Sequence, residues 1–361
     1  MIPIYKPYLP KHILKYAHDA IDSTWISSHG KYIELATNKL QELLGCEYII
    51  LTNNGTTATH LMSIGLNYKY PNIETINVPN NVYIAAWNSF RMSNNYKFNV
   101  LDCDIDTWNP NYDNFKCDEQ QAILFVHNIG NIINVPQLKS KLNNHILLED
   151  NCEGFLGKYD NKYSGTESWM SSISFFGNKT ITAGEGGALL TNDEEMYNYL
   201  SSVRSQGYTT EKYIFDKIGY NYRMTNIQAS LLYGQLEYMN EILELKENVW
   251  NTYHKYLDGV NGISFQKIEK NTNHSHWLVG IRFDNLTLEK KKELELHLYQ
   301  NDIESRPMFP PITYHKHYEN EKCDIKNAKK IYETSLLLPS YPELTEIEIK
   351  KICHIIKKYI N

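Results

Sequence analysis

Residues 174–187 read SFFGNKTITAGEGG, and the interpretation of the rest of the chain depends on them. The run 171–176 indicates a buried strand, and Lys179 follows it at the mouth of a glycine-rich turn. A lysine in such a turn has two interpretations. Most loop lysines point into water. A desolvated lysine instead has a lowered pKa and acts as a Schiff-base nucleophile.

The composition is that of a globular protein. The chain has 361 residues, is 42% hydrophobic and 22% charged, and carries a net charge of −6. This length predicts two domains. The basic residues form no dense block, so we expect no nucleic-acid partner. No apolar run has signal-peptide or membrane-helix length, so we expect a soluble, cytoplasmic protein without a membrane partner.

The cysteines and histidines predict neither disulfides nor a metal site. The six cysteines contain no Cys-x-x-Cys pair, which is typical of reduced thiols in a cytosolic protein. Two His-x-His pairs, at 274–276 and 315–317, lack a neighbouring cluster of further ligands. Surface or pocket histidines therefore explain these pairs better than a metal does.

Short apolar strands alternate with helical patterns through the first two thirds of the chain. The predicted strands are 47–51, 75–78, 98–101, 122–126, 146–148 and 171–176. This alternation predicts βαβ units in a mostly parallel sheet with helices on both faces. Ligands bind beyond the carboxyl ends of such strands. Five candidate residues stand at or just past these ends: Gly55, Tyr83, His127, Asp150 and Lys179.

The pattern changes in the last third of the chain. Thr225 caps one long predicted helix, which runs to about residue 248 and continues toward 257. Beyond this helix, strands at 263–265 and 277–283 are followed by helices at 286–300 and 346–359. We predict a smaller α+β domain here, and we divide the chain into a large domain, 1–245, and a small domain, 246–361.

The strand-end residues together predict pyridoxal phosphate (PLP) as the cofactor. The helix that begins near Gly55 and Thr56 offers free backbone N–H groups to a phosphate. Asp150 suits the pyridine nitrogen, because a carboxylate facing a pyridinium stays ionised. Tyr83 is placed to stack on the ring, and Lys179 supplies the amine that C4′ requires. An exposed Lys179 beside an ordinary helix cap is the simpler alternative.

Four motifs carry a resemblance to a known family. They are NGT (54–56), EDNCEG (149–154), SFFGNKT with TAGEGG (174–187) and GYNYRMTNIQ (219–228). They strongly resemble the motifs of the DegT/DnrJ/EryC1/StrS family of PLP-dependent nucleotide-sugar aminotransferases, and the resemblance covers nearly the whole chain. It implies a type-I, aspartate-aminotransferase-like α/β fold with a mostly parallel seven-stranded sheet and a small α+β C-terminal domain. It also implies a homodimer with active sites at the subunit interface.

The resemblance assigns roles to individual residues. Lys179 is the catalytic residue, which bonds the cofactor and later moves a proton. The cofactor-binding set implied by position is Gly55, Thr56, Tyr83, Asp150, Glu153, Ser174, Lys179 and, from the neighbouring subunit, Asn221. For the substrates, Arg223 is a candidate anion anchor, and Tyr314 and His315 belong to the loop that helps to line the sugar pocket.

Glu153 indicates the reaction subtype. Many family members carry glutamine at this position, whereas the acidic residue resembles the perosamine-synthase type, which aminates C4 of a 4-keto-6-deoxy sugar. A core carboxylate that accepts hydrogen bonds from the backbone is the alternative interpretation of Glu153. The histidine that the family usually has after the Arg-Pro loop is replaced near Thr313, which leaves the sugar open.

The main hypothesis is a transaminase. It would use L-glutamate to convert a nucleotide-linked 4-keto-6-deoxy sugar into a perosamine-like or viosamine-like 4-amino sugar. Related dehydratases carry histidine in place of the lysine, so the intact Lys179 favours transamination. Two alternatives stay open, which are a C3-keto-sugar aminotransferase and a PLP-binding regulatory protein without turnover. The carrier, GDP, UDP or dTDP, is also open.

Overall fold

The computed structural model describes residues 1–112, 115, 117 and 119–360. Its helices are α1 (Lys11–Asp22), α2 (Lys31–Leu44), α3 (Gly55–Lys69), α4 (Ala85–Ser93), α5 (Val135–Lys141), α6 (Glu194–Arg204), α7 (Asn226–Glu237), α8 (Met239–Leu257), α9 (Leu288–Gln300), α10 (Lys326–Thr334) and α11 (Glu346–Ile360). Its strands are β1 (Tyr48–Thr52), β2 (Thr75–Pro79), β3 (Lys97–Leu101), β4 (Ala122–Val126), β5 (Ile146–Asp150), β6 (Lys158–Tyr159), β7 (Lys162–Tyr163), β8 (Met170–Ser174), β9 (Gly187–Thr191), β10 (Ile263–Phe265), β11 (Thr272–Asn273), β12 (Val279–Phe283), β13 (Arg306–Pro307) and β14 (Ser335–Leu338).

The main sheet has the architecture that the sequence predicts. Within the described ranges it has seven strands, in the order β1-β9-β8-β5-β4-β2-β3. β9 pairs antiparallel with both β1 and β8, and the pairs from β8 to β3 are parallel. The predicted α/β class with a mostly parallel sheet is confirmed. The alternation of strands and helices does not predict β9, because a loop, 175–186, rather than a helix connects it to β8.

Helices cover both faces of this sheet because its strands bury both of their faces. In β1, Ile50 packs with the core beneath α3 and α4, whereas Ile49 and Leu51 pack with the core beneath α1, α2 and α7. Side chains of a strand alternate between its two faces, so one short apolar strand contributes to two cores. The sheet whose strand ends carry the candidate site residues is therefore packed against helices on both of its faces.

The single long helix predicted from Thr225 is wrong. Tyr238 leaves the helical conformation, with φ −112° and ψ 24°, and divides the segment into α7 and α8. The capping pattern at its start is correct, since the Thr225 hydroxyl accepts from the N–H of Gln228. α7 packs on the large-domain helices and α8 packs on α11. α7 and Ile242 at the start of α8 pack in the core beneath α1 and α2, whereas α8 from Val249 onward packs in the C-terminal core.

The C-terminal part is an antiparallel sheet, β10-β12-β14-β13, with helices packed on it. Thr345 and Glu348 form the predicted capping box at the start of α11, where the Thr345 N–H donates to the Glu348 carboxylate at 2.9 Å. The first residues join this core as well, since Ile2 bridges to Ile303. The boundary at residue 245 falls inside α8 and stays a prediction.

The described residues offer neither a membrane-spanning helix nor a metal-binding cluster. They contain no helix long and apolar enough to cross a membrane. Within the same ranges, no group of three or more His, Cys, Asp or Glu side chains is placed to hold a metal ion. His274 and His276 instead lie against the ring of Trp250, with ring centroids 4.2 and 5.0 Å from it.

Candidate active site

One cavity of about 380 Å³ opens at the carboxyl ends of the parallel strands. Its lining includes most of the residues predicted for the cofactor site, which are Gly55, Thr56, Tyr83, Asp150, Glu153, Ser174 and Lys179. Parallel strands bring these distant residues together, because their carboxyl ends meet at one edge of the sheet.

The first turn of α3 forms an anion-binding wall of the cavity. Asn54 caps the helix, accepting from the Thr57 N–H at 2.9 Å. The N–H groups of Gly55 and Thr56 have no intrahelical acceptor, and the helix dipole favours a negative charge there. A Cβ on Gly55 would lie 2.6 Å from the Cβ of Ser174, so only glycine allows this close approach. The resulting cradle, which includes the Ser174 hydroxyl, fits a phosphate group.

Asp150 ends β5, and its buried carboxylate faces the cavity. It accepts a hydrogen bond from the N–H of Cys152 at 3.0 Å. Burial raises the pKa of Asp150, while the hydrogen bond from Cys152 and the charge of Lys179 act in the opposite direction. A buried carboxylate at this position fits a protonated ring nitrogen, which would compensate its desolvation.

The preceding carboxylate, Glu149, has a different environment. It is fully buried and accepts from His127 Nε2 at 2.8 Å, from the Gly165 N–H at 2.6 Å and from the Ser168 hydroxyl at 2.8 Å. His127 Nδ1 in turn accepts from the N–H of Ile133. The two acidic residues at the end of β5 therefore differ, since Glu149 is fully satisfied in the core and Asp150 lines the cavity.

Lys179 is held in place by other segments of the chain. Its Nζ lies 3.7 Å from the centroid of the Trp277 ring. The Trp277 indole N–H donates to the carbonyl of Asn178 at 2.8 Å, and the Tyr5 hydroxyl donates to the carbonyl of Lys179 at 2.9 Å. The lysine therefore lies on a fixed turn and lines the cavity, which favours the nucleophile interpretation over the solvent-exposed one.

Glu153 is both a core carboxylate that accepts from the backbone and a residue of the cavity lining, so both interpretations of its sequence position fit the structure. Its Oε2 accepts from the N–H of Ile129 at 2.7 Å, as a core carboxylate would, and its side chain also lines the cavity. Burial raises the pKa of Glu153 to about 7, and the charge of Lys179 acts against this rise. Glu153 is therefore a second titratable group beside Lys179.

Two predicted residues near the start of α7 do not line this cavity. Asn221 is exposed, and its backbone forms an isolated antiparallel β-bridge with Ser205. The Arg223 guanidinium donates to the hydroxyl of Ser28 at 3.2 Å. The roles predicted for Asn221 and Arg223 stay predictions, and Asn221 was assigned to the cavity of a neighbouring subunit.

The substrate residues predicted in the C-terminal loop also lie elsewhere in this chain. Tyr314 packs edge-on against Tyr332, with ring centroids 5.5 Å apart, and His315 packs against Trp87 at 5.6 Å. Neither lines the cavity, because two short 3₁₀ helices, Ile312–Tyr314 and Lys316–Tyr318, pack this loop on the outside of the α4 core. Their substrate roles stay predictions.

The sequence does not predict a site role for the residues that the C-terminal part brings to the cavity, chiefly Trp277, Arg306 and Phe309. The Phe309 ring lies 5.8 Å from that of Tyr83. Arg306 is exposed, and its guanidinium is 3.4 Å from a carboxylate oxygen of Glu304. The Arg-Pro pair that opens a loop after a helix was the available signal for Arg306.

A larger open groove, of about 1050 Å³, lies at the amino ends of the strands. Two of its charged residues, Lys162 and Glu167, pair with each other at 2.6 Å. None of the predicted site residues lines it. The chemistry therefore favours the smaller cavity around Lys179.

A lysine on a fixed turn, a buried aspartate and a phosphate cradle in one cavity define a PLP-dependent aminotransferase of type-I fold, and the comparisons with known proteins confirm this class. The family model described as the DegT/DnrJ/EryC1/StrS aminotransferase family matches residues 7–357, and the chain belongs to this family.

Individual relatives agree with this assignment. The chain is 34% identical over 366 aligned residues to the GDP-perosamine synthase of Escherichia coli O157:H7, covering 100% of this chain and 99% of that protein. It is 32% identical to the GDP-perosamine synthase of Vibrio cholerae, covering 100% of both. Helicobacter pylori PseC, an aminotransferase involved in the biosynthesis of pseudoaminic acid, has a similar structure, with a TM-score of 0.92 at 23% identity and coverage of 99% and 98%.

Proposed function

We propose that the protein transfers an amino group from L-glutamate to C4 of a nucleotide-linked 4-keto-6-deoxy sugar, giving a perosamine-like amino sugar nucleotide. The observation that carries this proposal is the convergence of Lys179, Asp150 and the Gly55–Thr56 cradle on one cavity. The sugar class is supported by the two GDP-perosamine synthases to which the chain is similar along its whole length.

The residues of the cavity have separable tasks. Bound PLP supplies an electron sink for the carbon that loses or gains a proton. Asp150 would face the ring nitrogen of bound PLP, where a nearby carboxylate favours the protonated, charged form of the nitrogen. The Lys179 amine is the group that moves the proton, since a general base must lie within reach of the reacting carbon. Gly55, Thr56 and Ser174 would bind the phosphate and thereby hold the cofactor ring in one position in the cavity.

Arg306 is the residue that we propose for binding an anionic part of a substrate. The basic side chains among the residues that line the cavity are those of Lys179 and Arg306. The single acidic contact described for Arg306, Glu304, also accepts from the N–H of Ile4 at 2.9 Å. Both substrates of the proposed reaction carry anionic groups, a diphosphate or carboxylates, and an arginine binds such groups with paired N–H donors.

We also propose that the active unit is a homodimer. Asn221 lies at the base of an exposed hairpin of residues 207–219, which carries several exposed apolar side chains: Tyr208, Tyr213, Ile214, Phe215 and Ile218. Exposed apolar clusters of this kind are typical of interaction surfaces. In a dimer, this hairpin is the segment that would bring Asn221 to the phosphate cradle of a neighbouring subunit.

The experiment is a product analysis. The purified protein is incubated with PLP, L-glutamate and, in separate reactions, the GDP-, UDP- and dTDP-linked 4-keto-6-deoxy sugars. NMR of the product then identifies the aminated carbon. The proposal predicts amination at C4 and an inactive Lys179→Ala variant. Amination at C3 would favour the alternative substrate, and PLP binding without turnover of any sugar would favour a regulatory protein.

A further inference from the structure

Lys246 is a lysine buried at the junction between the C-terminal part and the Lys179 turn. It lies on α8, and its side chain is 1% exposed. Its Nζ donates to the main-chain carbonyls of Trp277, at 2.8 Å, and of Ser340. Within the described part of the chain it forms no ion pair with a carboxylate. Lysines are almost never buried so completely without a partner charge, so this one requires an explanation.

The contacts of Lys246 lead directly to Lys179. Trp277, whose carbonyl Lys246 binds, donates from its indole to the carbonyl of Asn178 and places its ring 3.7 Å from the Lys179 Nζ. Tyr5, whose ring centroid is 5.1 Å from the Lys246 Nζ, donates to the carbonyl of Lys179. Two consecutive carbonyls of the Lys179 turn are thus bound by the side chains of two residues that both contact Lys246, Trp277 through its main-chain carbonyl and Tyr5 through its ring.

The burial of Lys246 has an energetic cost that an apolar residue would avoid. Desolvation lowers its pKa to about 7. A methionine of similar length would fill the same space without this cost, but it could not donate to either carbonyl. Lys246 is therefore better explained by the groups that it holds in place than by the stability of the core.

We propose that Lys246 is a positioning residue, which acts through Trp277 and Tyr5 to fix the turn that carries Lys179. It joins four segments that are distant in sequence: the N-terminal segment, α8, the residues just before β12 and the residues just after β14. Loss of Lys246 frees the carbonyl of Trp277, loosens the indole over Lys179 and disorders the amine. This inference rests on the proposed role of Lys179 as the residue that bonds the cofactor.

Lys291 provides a matched control. It is also 1% exposed, and its Nζ donates to the carbonyl of Tyr332 at 2.5 Å and lies 4.5 Å from the Tyr332 ring centroid. Lys246→Met and Lys291→Met therefore each remove a buried ammonium that donates to a main-chain carbonyl and lies over a tyrosine ring. Only Lys246 connects to the Lys179 turn through the contacts described above.

The test measures how the cofactor is held in the resting holoenzyme. The melting temperature, the rate of PLP release on dilution and the visible circular dichroism per bound PLP are measured for both variants. We expect Lys246→Met to release PLP at least tenfold faster and to lose half or more of the visible dichroism. Lys291→Met should lose thermal stability alone. Wild-type release and dichroism in Lys246→Met, or equal changes in Lys291→Met, would overturn the proposal.

A milder pair of variants decides the question if Lys246→Met does not fold. Tyr5→Phe removes only the hydroxyl that binds the Lys179 carbonyl, and we expect PLP release about threefold faster. Its control is Tyr253→Phe, which removes a hydroxyl that donates to the Pro339 carbonyl at 2.9 Å. Release at the wild-type rate in Tyr5→Phe would overturn the link. If Lys179→Ala retained the cofactor spectrum in the same assay, the proposed role of Lys179 itself would fail.

Discussion

The two walls of the cavity differ in how they are built. The large-domain wall consists of residues at the ends of parallel strands and at the start of α3, such as Asp150 and Gly55. The C-terminal wall consists of Trp277, which precedes β12, Arg306, which lies in β13, and Phe309, which follows β13. These short antiparallel strands belong to a different sheet. The first wall bears the groups that suit a cofactor. The second bears an exposed cation and aromatic rings that suit a substrate.

The largest effect on catalysis is expected from a substitution in the large-domain wall. Asp150→Asn removes the charge that faces the cavity, and we expect kcat to fall on the order of 10³-fold, or about 4 kcal/mol in the barrier. The neighbouring Glu149→Gln should instead lower the free energy of unfolding by about 2–3 kcal/mol, because an amide cannot accept from all three donors around Glu149. Steady-state kinetics and urea unfolding measure the two effects.

One outcome for this pair of variants would contradict the separate roles of Glu149 in the core and Asp150 in the cavity. If Asp150→Asn lost stability and kept its kcat, while Glu149→Gln did the reverse, the division of β5 between core and cavity would be wrong. A mixed loss of both properties in Asp150→Asn alone would mean that the carboxylate also supports the fold.

The pH dependence of stability tests Glu153 on the same wall. Its pKa in the folded protein is about 7, raised from 4.5, so the folded state binds more protons than the unfolded state between these values. The contribution of Glu153 to the free energy of unfolding is complete below pH 4.5 and is lost as the pH rises through 7. The free energy of unfolding therefore falls by about 3 kcal/mol over this range. Urea unfolding of the cofactor-free protein across this range measures the slope. Glu153→Gln should flatten it, and an unchanged slope would contradict the assignment.

The smallest of these effects is expected from the second wall. Arg306→Gln should raise the KM for one substrate about 10- to 100-fold with little change in kcat, because a charge-assisted contact contributes about 1.5–3 kcal/mol. Comparing the KM for the amino donor with that for the sugar nucleotide identifies which anion Arg306 binds. Arg282→Gln is the control, since Arg282 pairs with Asp284 outside the cavity. An unchanged KM for both substrates would remove Arg306 from the substrate site.

The difference between the walls also explains how much could be predicted. Gly55, Asp150 and Lys179 are visible in the sequence because each follows an apolar strand, and parallel topology then brings strand ends together. Trp277 and Arg306 reach the cavity through the packing of a second sheet, and the Arg-Pro pair at 306–307 indicates a loop but not its place at the cavity. The sequence does not indicate the break at Tyr238 for a similar reason, since α7 and α8 continue one helical pattern and only the later part of α8 packs on a different core.

Cofactor trapping tests the central claim most directly. The holoenzyme is reduced with borohydride, which fixes PLP covalently to its lysine, and the modified peptide is identified by mass spectrometry. The account predicts modification of Lys179 and none of Lys246, the buried lysine near the cavity, whose pKa desolvation lowers to about 7. Modification of Lys246, or of any lysine other than Lys179, would contradict it.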